Sequence, residues 1–166
     1  GVNLSRPREN AEKIVKCVCD SDASLIVFPE LALTGSTCGD FLFDAAYLDE
    51  LNAATKTVCD GLTKAHGKAT VFGLPFAYGD RLYNAALAVY EGEILGVVLK
   101  SVISTCSLLN EHRYFTAGAM FPEESVCIGN TVVPVGTKLI FKLSESLVLG
   151  VEIGSDRAVL GSPAED

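Results

Sequence analysis

Three charged residues in this chain stand where chemistry can be built. Glu30 follows directly on Pro29, which ends the short apolar run Leu25-Ile26-Val27-Phe28. Such a run has the pattern of a strand buried on both faces. A carboxylate at the carboxyl end of that strand occupies the position where α/β proteins place their chemistry, above a rigid sheet and facing a crevice. The alternative is a solvated turn residue. Lys100 closes a second apolar run, Ile94 to Leu99, and taken alone it reads as a snorkelled surface charge. Glu111 opens the group Glu111-His112-Arg113, which on its own is a solvated charged turn. Between the first and second of these residues lies the loop Thr34-Gly35-Ser36-Thr37-Cys38-Gly39-Asp40, small, polar and bracketed by glycine. A loop of that kind can bring backbone donors close to a ligand.

The elements that must hold these groups follow from hydrophobic periodicity. Residues 5 to 19 predict a helix, with Ser5 as cap, Pro7 in the first turn and Ala11, Ile14, Val15 and Val18 on one stripe. From Phe43 to about Ala65, apolar residues recur at threes and fours, the pattern of a longer amphipathic helix that His66-Gly67 closes. Residues 69 to 75 predict a second buried strand. Residues 82 to 89 and 94 to 99 predict a strand pair joined across Glu91-Gly92-Glu93. Further strands are expected at 125 to 128, 131 to 135, 139 to 141 and 146 to 153. The alternation of helices with strands predicts an α/β fold.

With 166 residues the chain is one domain or most of one. A formal charge of -8 makes its surface repel phosphate backbones and anionic membranes, so neither nucleic acid nor membrane is an expected partner. The cysteines lie at 17, 19, 38, 59, 106 and 127 without a CxxC spacing, and no leader is visible ahead of them. Free thiols in a reducing cytosol fit that pattern, and cytoplasmic localisation is the expectation. His66 and His112 are far from any cysteine pair, so no metal site is expected.

Four segments together carry a family resemblance. VFPELALTGSTCGDFLF resembles VFPELxxTGYTxGDLF, and FGLPFAYGDRLYNAALAVYEGEILGVVLKS resembles VxGLPxxxxxRLYNxAxVxxxGxIxGxxxKxxLP. The stretch around Glu111, Arg113, Phe115 and Gly118 is similar to EFYEKRxFxPG, and Val135 to Phe141 is similar to PFGTDLLF. These are patterns of the nitrilase-type amidase domain of glutamine-dependent NAD synthetases. The resemblance implies an αββα sandwich, a mixed sheet flanked by helices, here expected to be incomplete at both ends. It also implies hydrolysis of glutamine to glutamate and ammonia through a Glu-Lys-Cys triad. Glu30 takes the position of the general base, Lys100 that of the ammonium that stabilises the tetrahedral oxyanion, and Glu111 that of the carboxylate that orients the lysine and the substrate amide.

The departures from the pattern are as informative. Where the family reads GVEICEDLW this chain reads GVEIGSDRA, so Gly154 occupies the position of the cysteine nucleophile. Amide hydrolysis by this route needs a thiolate to carry the acyl group as a thioester, and glycine has no side chain to attack with. Ser155, one residue along a strand, is expected to point to the opposite face. Ser36, Cys106 and Ser155 also replace the Tyr, Tyr and Glu of the family's substrate pocket. The resulting expectation is a partial amidase domain over residues 1 to 166, without a synthetase domain and without activity of its own. Its parent partners are glutamine and a synthetase domain or subunit, in a homo-oligomer. No cofactor serves the amidase step, while ATP and Mg belong to the absent synthetase domain. The rival is a pseudoenzyme, the same fold kept as a scaffold or oligomer interface.

Overall fold

A computed structural model describes residues 1–103, 110–158 and 163. Two helices, α1 (Pro7–Asp20) and α2 (Ala45–Leu62), lie on one face of a mixed six-stranded sheet. Its strands are β1 (Leu25–Val27), β2 (Ala69–Tyr78), β3 (Arg81–Tyr90), β4 (Glu93–Leu99), β5 (Ser125–Ile128) and β6 (Thr131–Gly136), in the order β1-β2-β3-β4-β6-β5. A two-stranded ribbon, β7 (Ile140–Lys142) and β8 (Val148–Gly150), packs on the opposite face. The described layers are therefore helix, sheet and sheet.

Strand alternation divides the side chains of the central sheet between the two faces. Phe72 and Leu74 of β2, Tyr83, Ala85, Leu87 and Val89 of β3, and Val97 and Leu99 of β4 meet Ile14, Val18, Leu51, Val58 and Leu62 of the helices. The intervening residues Val71, Ala86, Ala88 and Val98 meet Phe141 of the ribbon and Ile153. Both layers place near-continuous apolar runs in the centre of the sheet, which is why β3 is buried from Tyr83 through Val89.

Several local expectations change. Pro7 does occupy the first turn of α1, but Ser5 is not its cap: its φ is 53°, its amide donates to the Thr34 carbonyl, and the cap position belongs to Arg6. Helix α2 ends at Leu62, before His66-Gly67, and its N-terminus is capped by Asp44, whose Oδ1 accepts the Ala46 amide at 2.9 Å. Strand β1 is not buried on both faces. It sits at the sheet edge with β2 as its described neighbour, and Val27 is 62% exposed. The strand expected over 146 to 153 is only three residues long. After β8 the chain leaves the ribbon and enters a short 3₁₀ turn, Gly154–Ala158.

Candidate active site

The site forms where two strand ends and two turns meet. Strand β1 runs parallel to β2 and delivers Glu30 just beyond its carboxyl end. The turn that follows is tight: Ala32 N donates to Pro29 O at 3.1 Å, Leu33 N to Gly73 O at 3.0 Å, and Gly35 N to Leu31 O at 2.7 Å. Leu31 holds a φ of 52°, a left-handed conformation that costs an L-residue about 1–2 kcal/mol. Gly73 of β2 makes the turn possible, since a Cβ there would overlap the Leu31 nitrogen and stand 2.8 Å from the Pro29 oxygen. The sheet thus fixes the Glu30 backbone by direct approach of one main chain to another.

Lys100 arrives from β4. Its amide donates to the Asn84 carbonyl at 2.8 Å, which extends the β3–β4 ladder by one step. By parity its side chain falls on the face of Gly96 and Val98, toward the ribbon. The surface-charge reading of this lysine is wrong: its side chain is 3% exposed. Glu111 comes from a 3₁₀ turn, Glu111–Arg113, entered through Asn110 at a φ of 39°, and it is buried as well. The solvated-turn reading fails for it too.

These side chains converge. The Lys100 ammonium donates to Glu30 Oε1 at 2.8 Å, and to Glu111 Oε1 and Oε2 at 2.7 and 2.9 Å. A second donor reaches Glu30 Oε1, the side-chain amide of Asn84 at 2.6 Å. Burial alone would push the Lys100 ammonium toward its neutral form. Its hydrogen bonds to Glu111 and Glu30 more than reverse that, so its pKa stands above the ordinary lysine value. The ammonium is held charged, as stabilising an oxyanion requires.

Gly154 closes the arrangement. It has a φ of 55°, and a Cβ built on it would lie 2.5 Å from Glu30 Oε2 and 3.2 Å from the Lys100 ammonium. A cavity of about 80 Å³ opens there, lined among others by Pro29, Glu30, Gly73, Glu152 and Gly154. The turn that carries Gly154 is tied to the lysine loop by buried Asp156, whose carboxylate accepts the amides of Ser101 and Val102, both at 2.9 Å. Ser155 therefore lies in a 3₁₀ turn, and the strand alternation expected of it does not apply. Its hydroxyl is buried without a hydrogen-bond partner among the described residues.

Of the substituted pocket positions, Ser36 lines a small recess of about 20 Å³ together with Cys38, Tyr114 and Glu111. Cys106 lies outside the described residues. A groove of about 940 Å³ between α2 and β5 is lined by none of the charged residues of the site. Among the described residues no cluster of His, Cys, Asp and Glu could hold a metal ion. Burial raises the thiol pKa of Cys38, and that of Cys59 to about 11, so neither is a ready thiolate.

Sequence reasoning did not single out Asn84 or Asp156. Asn84 lies inside the RLYN wording, whose asparagine has no ordinary role within an apolar strand, and that misfit was the available signal. The aspartate of the nucleophile motif was visible as a match without a task.

The carbon-nitrogen hydrolase family matches residues 3–154, nearly the whole chain. The chain belongs to that family. The chain is 32% identical over 170 residues to a glutamine-dependent NAD(+) synthetase of Mycobacterium tuberculosis, an alignment covering 98% of the chain and 24% of the relative. The chain thus spans about a quarter of the length of the curated relatives it matches. In fold it is similar to a glutamine-dependent NAD+ synthetase from Acinetobacter baumannii, with a TM-score of 0.76 and 23% identity over 99% of this chain and 28% of that one. It is also similar to a glutamate-to-glutamine mutant of an amidase from Nesterenkonia, with a TM-score of 0.59 and 20% identity over 79% of this chain and 49% of that one. That structure shows the acetamide moiety of fluoroacetamide added covalently at the active-site cysteine. The nitrilase-like α/β architecture expected from the sequence is the one observed. Among the described residues no helix is long and apolar enough to cross a membrane.

Proposed function

We propose that this chain carries part of the glutamine amidohydrolase region of a glutamine-dependent NAD synthetase, with the covalent step disabled at residue 154. The observation that carries this reading is the Lys100 ammonium between Glu30 and Glu111, with the free face of the Glu30 carboxylate 2.5 Å from where a side chain at 154 would begin. In the parent reaction a thiol at that point gives its proton to Glu30 and its sulfur bonds to the amide carbon. Lys100 then stabilises the oxyanion. The C–N bond breaks, ammonia leaves with the proton returned by Glu30, and water hydrolyses the thioester. Without a sulfur the first bond cannot form, although the charges that would assist it are assembled.

In this reading glutamine is the parent substrate, and a synthetase domain or subunit is the consumer of ammonia. The amidase step needs no cofactor, and ATP and Mg act only in the synthetase region. A cytosolic setting fits the unpaired cysteines at 17, 19, 38, 59 and 127. Incubation with fluoroacetamide and with glutamine, followed by mass spectrometry and an ammonia assay, tests the proposal. The expected result is no adduct and no ammonia. An acetamide adduct on Ser155, or catalytic release of ammonia, would overturn it.

A second reading, a pseudoenzyme kept as scaffold or oligomer interface, is favoured by one observation. Ile140 and Val148 of the ribbon are 73% and 58% exposed and present apolar surface outward. Sedimentation measurements test this second reading: Ile140→Lys and Val148→Lys should dissociate an oligomer built on that surface, and a parent chain that is monomeric counts against it.

A further inference from the structure

We propose that Asn84 is a positioning residue that pins the Glu30 carboxylate so that Oε2 faces residue 154, a role that rests on reading Glu30 as the proton acceptor. A carboxylate only accepts hydrogen bonds, so the group that Asn84 turns toward Glu30 must be its NH₂. The side-chain amide nitrogen reaches Glu30 Oε1 at 2.6 Å, and the Lys100 ammonium reaches the same oxygen at 2.8 Å. The described hydrogen bonds to Glu30 thus fall on Oε1, while Oε2 is the atom nearest to where a side chain at 154 would start.

Lysine alone does not fix that division. Its ammonium is shared with both oxygens of Glu111 and sits on a flexible stem, so it could attract either oxygen of Glu30. Asn84 is different. It is 1% exposed in the middle of the sheet, on the face it shares with Ala86 and Ala88, and its short side chain has little freedom to follow a carboxylate that turns. Its main chain takes part as well, since its carbonyl accepts the Lys100 amide at 2.8 Å. One strand residue therefore sets both the carboxylate and the start of the lysine segment.

Packing alone does not account for an asparagine here. Its neighbours along that face of the strand, Leu82, Ala86 and Ala88, are apolar, and its Oδ1 is buried without a protein partner among the described residues, an arrangement that an apolar side chain would avoid. The polar group is retained at a cost to folding, and its one described side-chain bond is to Glu30.

The test uses the whole chain in two backgrounds. With Gly154 in place, crystal structures of Asn84→Asp and Asn84→Ala should show the Glu30 carboxylate rotated or displaced from residue 154. A carboxylate unmoved in both refutes the positioning role. In the Gly154→Cys background, alkylation by fluoroacetamide is followed by mass spectrometry across pH, with exposed Cys127 as the internal reference. Either Asn84 substitution should slow labelling at position 154 tenfold or more near neutral pH and leave the Cys127 rate unchanged. Rates at 154 within twofold of the parent refute the role while the reading of Glu30 stands. A position 154 that labels no faster than Cys127 even with Asn84 intact defeats the reading of Glu30, and this role with it.

Discussion

Replacing Lys100 by methionine should be among the most damaging single changes in this protein. The ammonium makes three contacts of 2.7 to 2.9 Å to two carboxylates, and its side chain is 3% exposed. Methionine preserves most of the volume but leaves Glu111, whose side chain is 9% exposed, and Glu30, at 31%, facing each other without the intervening cation. Removing one partner of a buried ion pair costs about 3–5 kcal/mol, because the stranded charge keeps its desolvation penalty. Glu30 is partly open to water, which screens its share and favours the lower end of that range. For a chain of this size the loss corresponds to a fall in Tm of roughly 6–15 °C.

The assay is urea unfolding followed by far-ultraviolet circular dichroism, beside a control of similar geometry. Arg113 reaches Asp40 at 2.8 Å, but the two side chains are 54% and 66% exposed. Arg113→Ala should cost no more than about 1 kcal/mol. Adding Glu111→Gln to Lys100→Met should recover a large part of the loss, since it removes the more deeply buried stranded charge. The reasoning is refuted if Lys100→Met unfolds within about 1 kcal/mol of the parent, or if Arg113→Ala proves equally harmful.

Three further outcomes follow from the same geometry. Gly73→Ala should destabilise by about 1–3 kcal/mol and displace the Glu30 turn, because its Cβ would collide with backbone rather than with a movable side-chain tip; a crystal structure of the variant with an unmoved turn contradicts this. Asp156→Ala should cost about 2 kcal/mol in chemical denaturation by orphaning the Ser101 and Val102 amides, and an unchanged midpoint would dismiss the tie between the two loops. Because folding raises the Lys100 pKa, the stabilisation it brings is complete below the unfolded lysine value of about 10.4 and is lost as pH rises through the higher folded value. Stability measured from pH 9 upward should therefore fall less steeply in Lys100→Met than in the parent, and equal slopes would remove Lys100 from the alkaline transition.

The fold was legible in the sequence where periodicity reports directly on packing. The stripes of α1 and α2 and the uninterrupted apolar runs of β2 to β4 each have one face or two to bury, and the helix–sheet core meets that need. Position within the sheet is a different matter. The run Leu25 to Phe28 looks the same at an edge as in the centre, and only the pairing order shows that β1 has a single described neighbour. The turn at Gly154 was hidden for a related reason: residues 146 to 153 have strand composition, yet the left-handed backbone at 154 and the anchoring of Asp156 turn the chain out of the ribbon.

The site was legible only in combination. Glu30, Lys100 and Glu111 are each ordinary by local context, and no rule of spacing joins positions 70 and 11 residues apart along the chain. What brings them together is sheet parity. Asn84 and Lys100 lie on the face opposite the helices, where the ribbon and Gly154 also lie, and β1 delivers Glu30 to the same end of the sheet. The same parity holds this charge cluster together beside a glycine at 154. Lys100 is buried between two carboxylates with glycine at 154, so losing one of the three charges harms folding whatever the chain's activity. A glycine at 154 leaves that electrostatic balance in place, whereas a change at Lys100 disturbs it. A chain with glycine at 154 can therefore keep this charged frame intact.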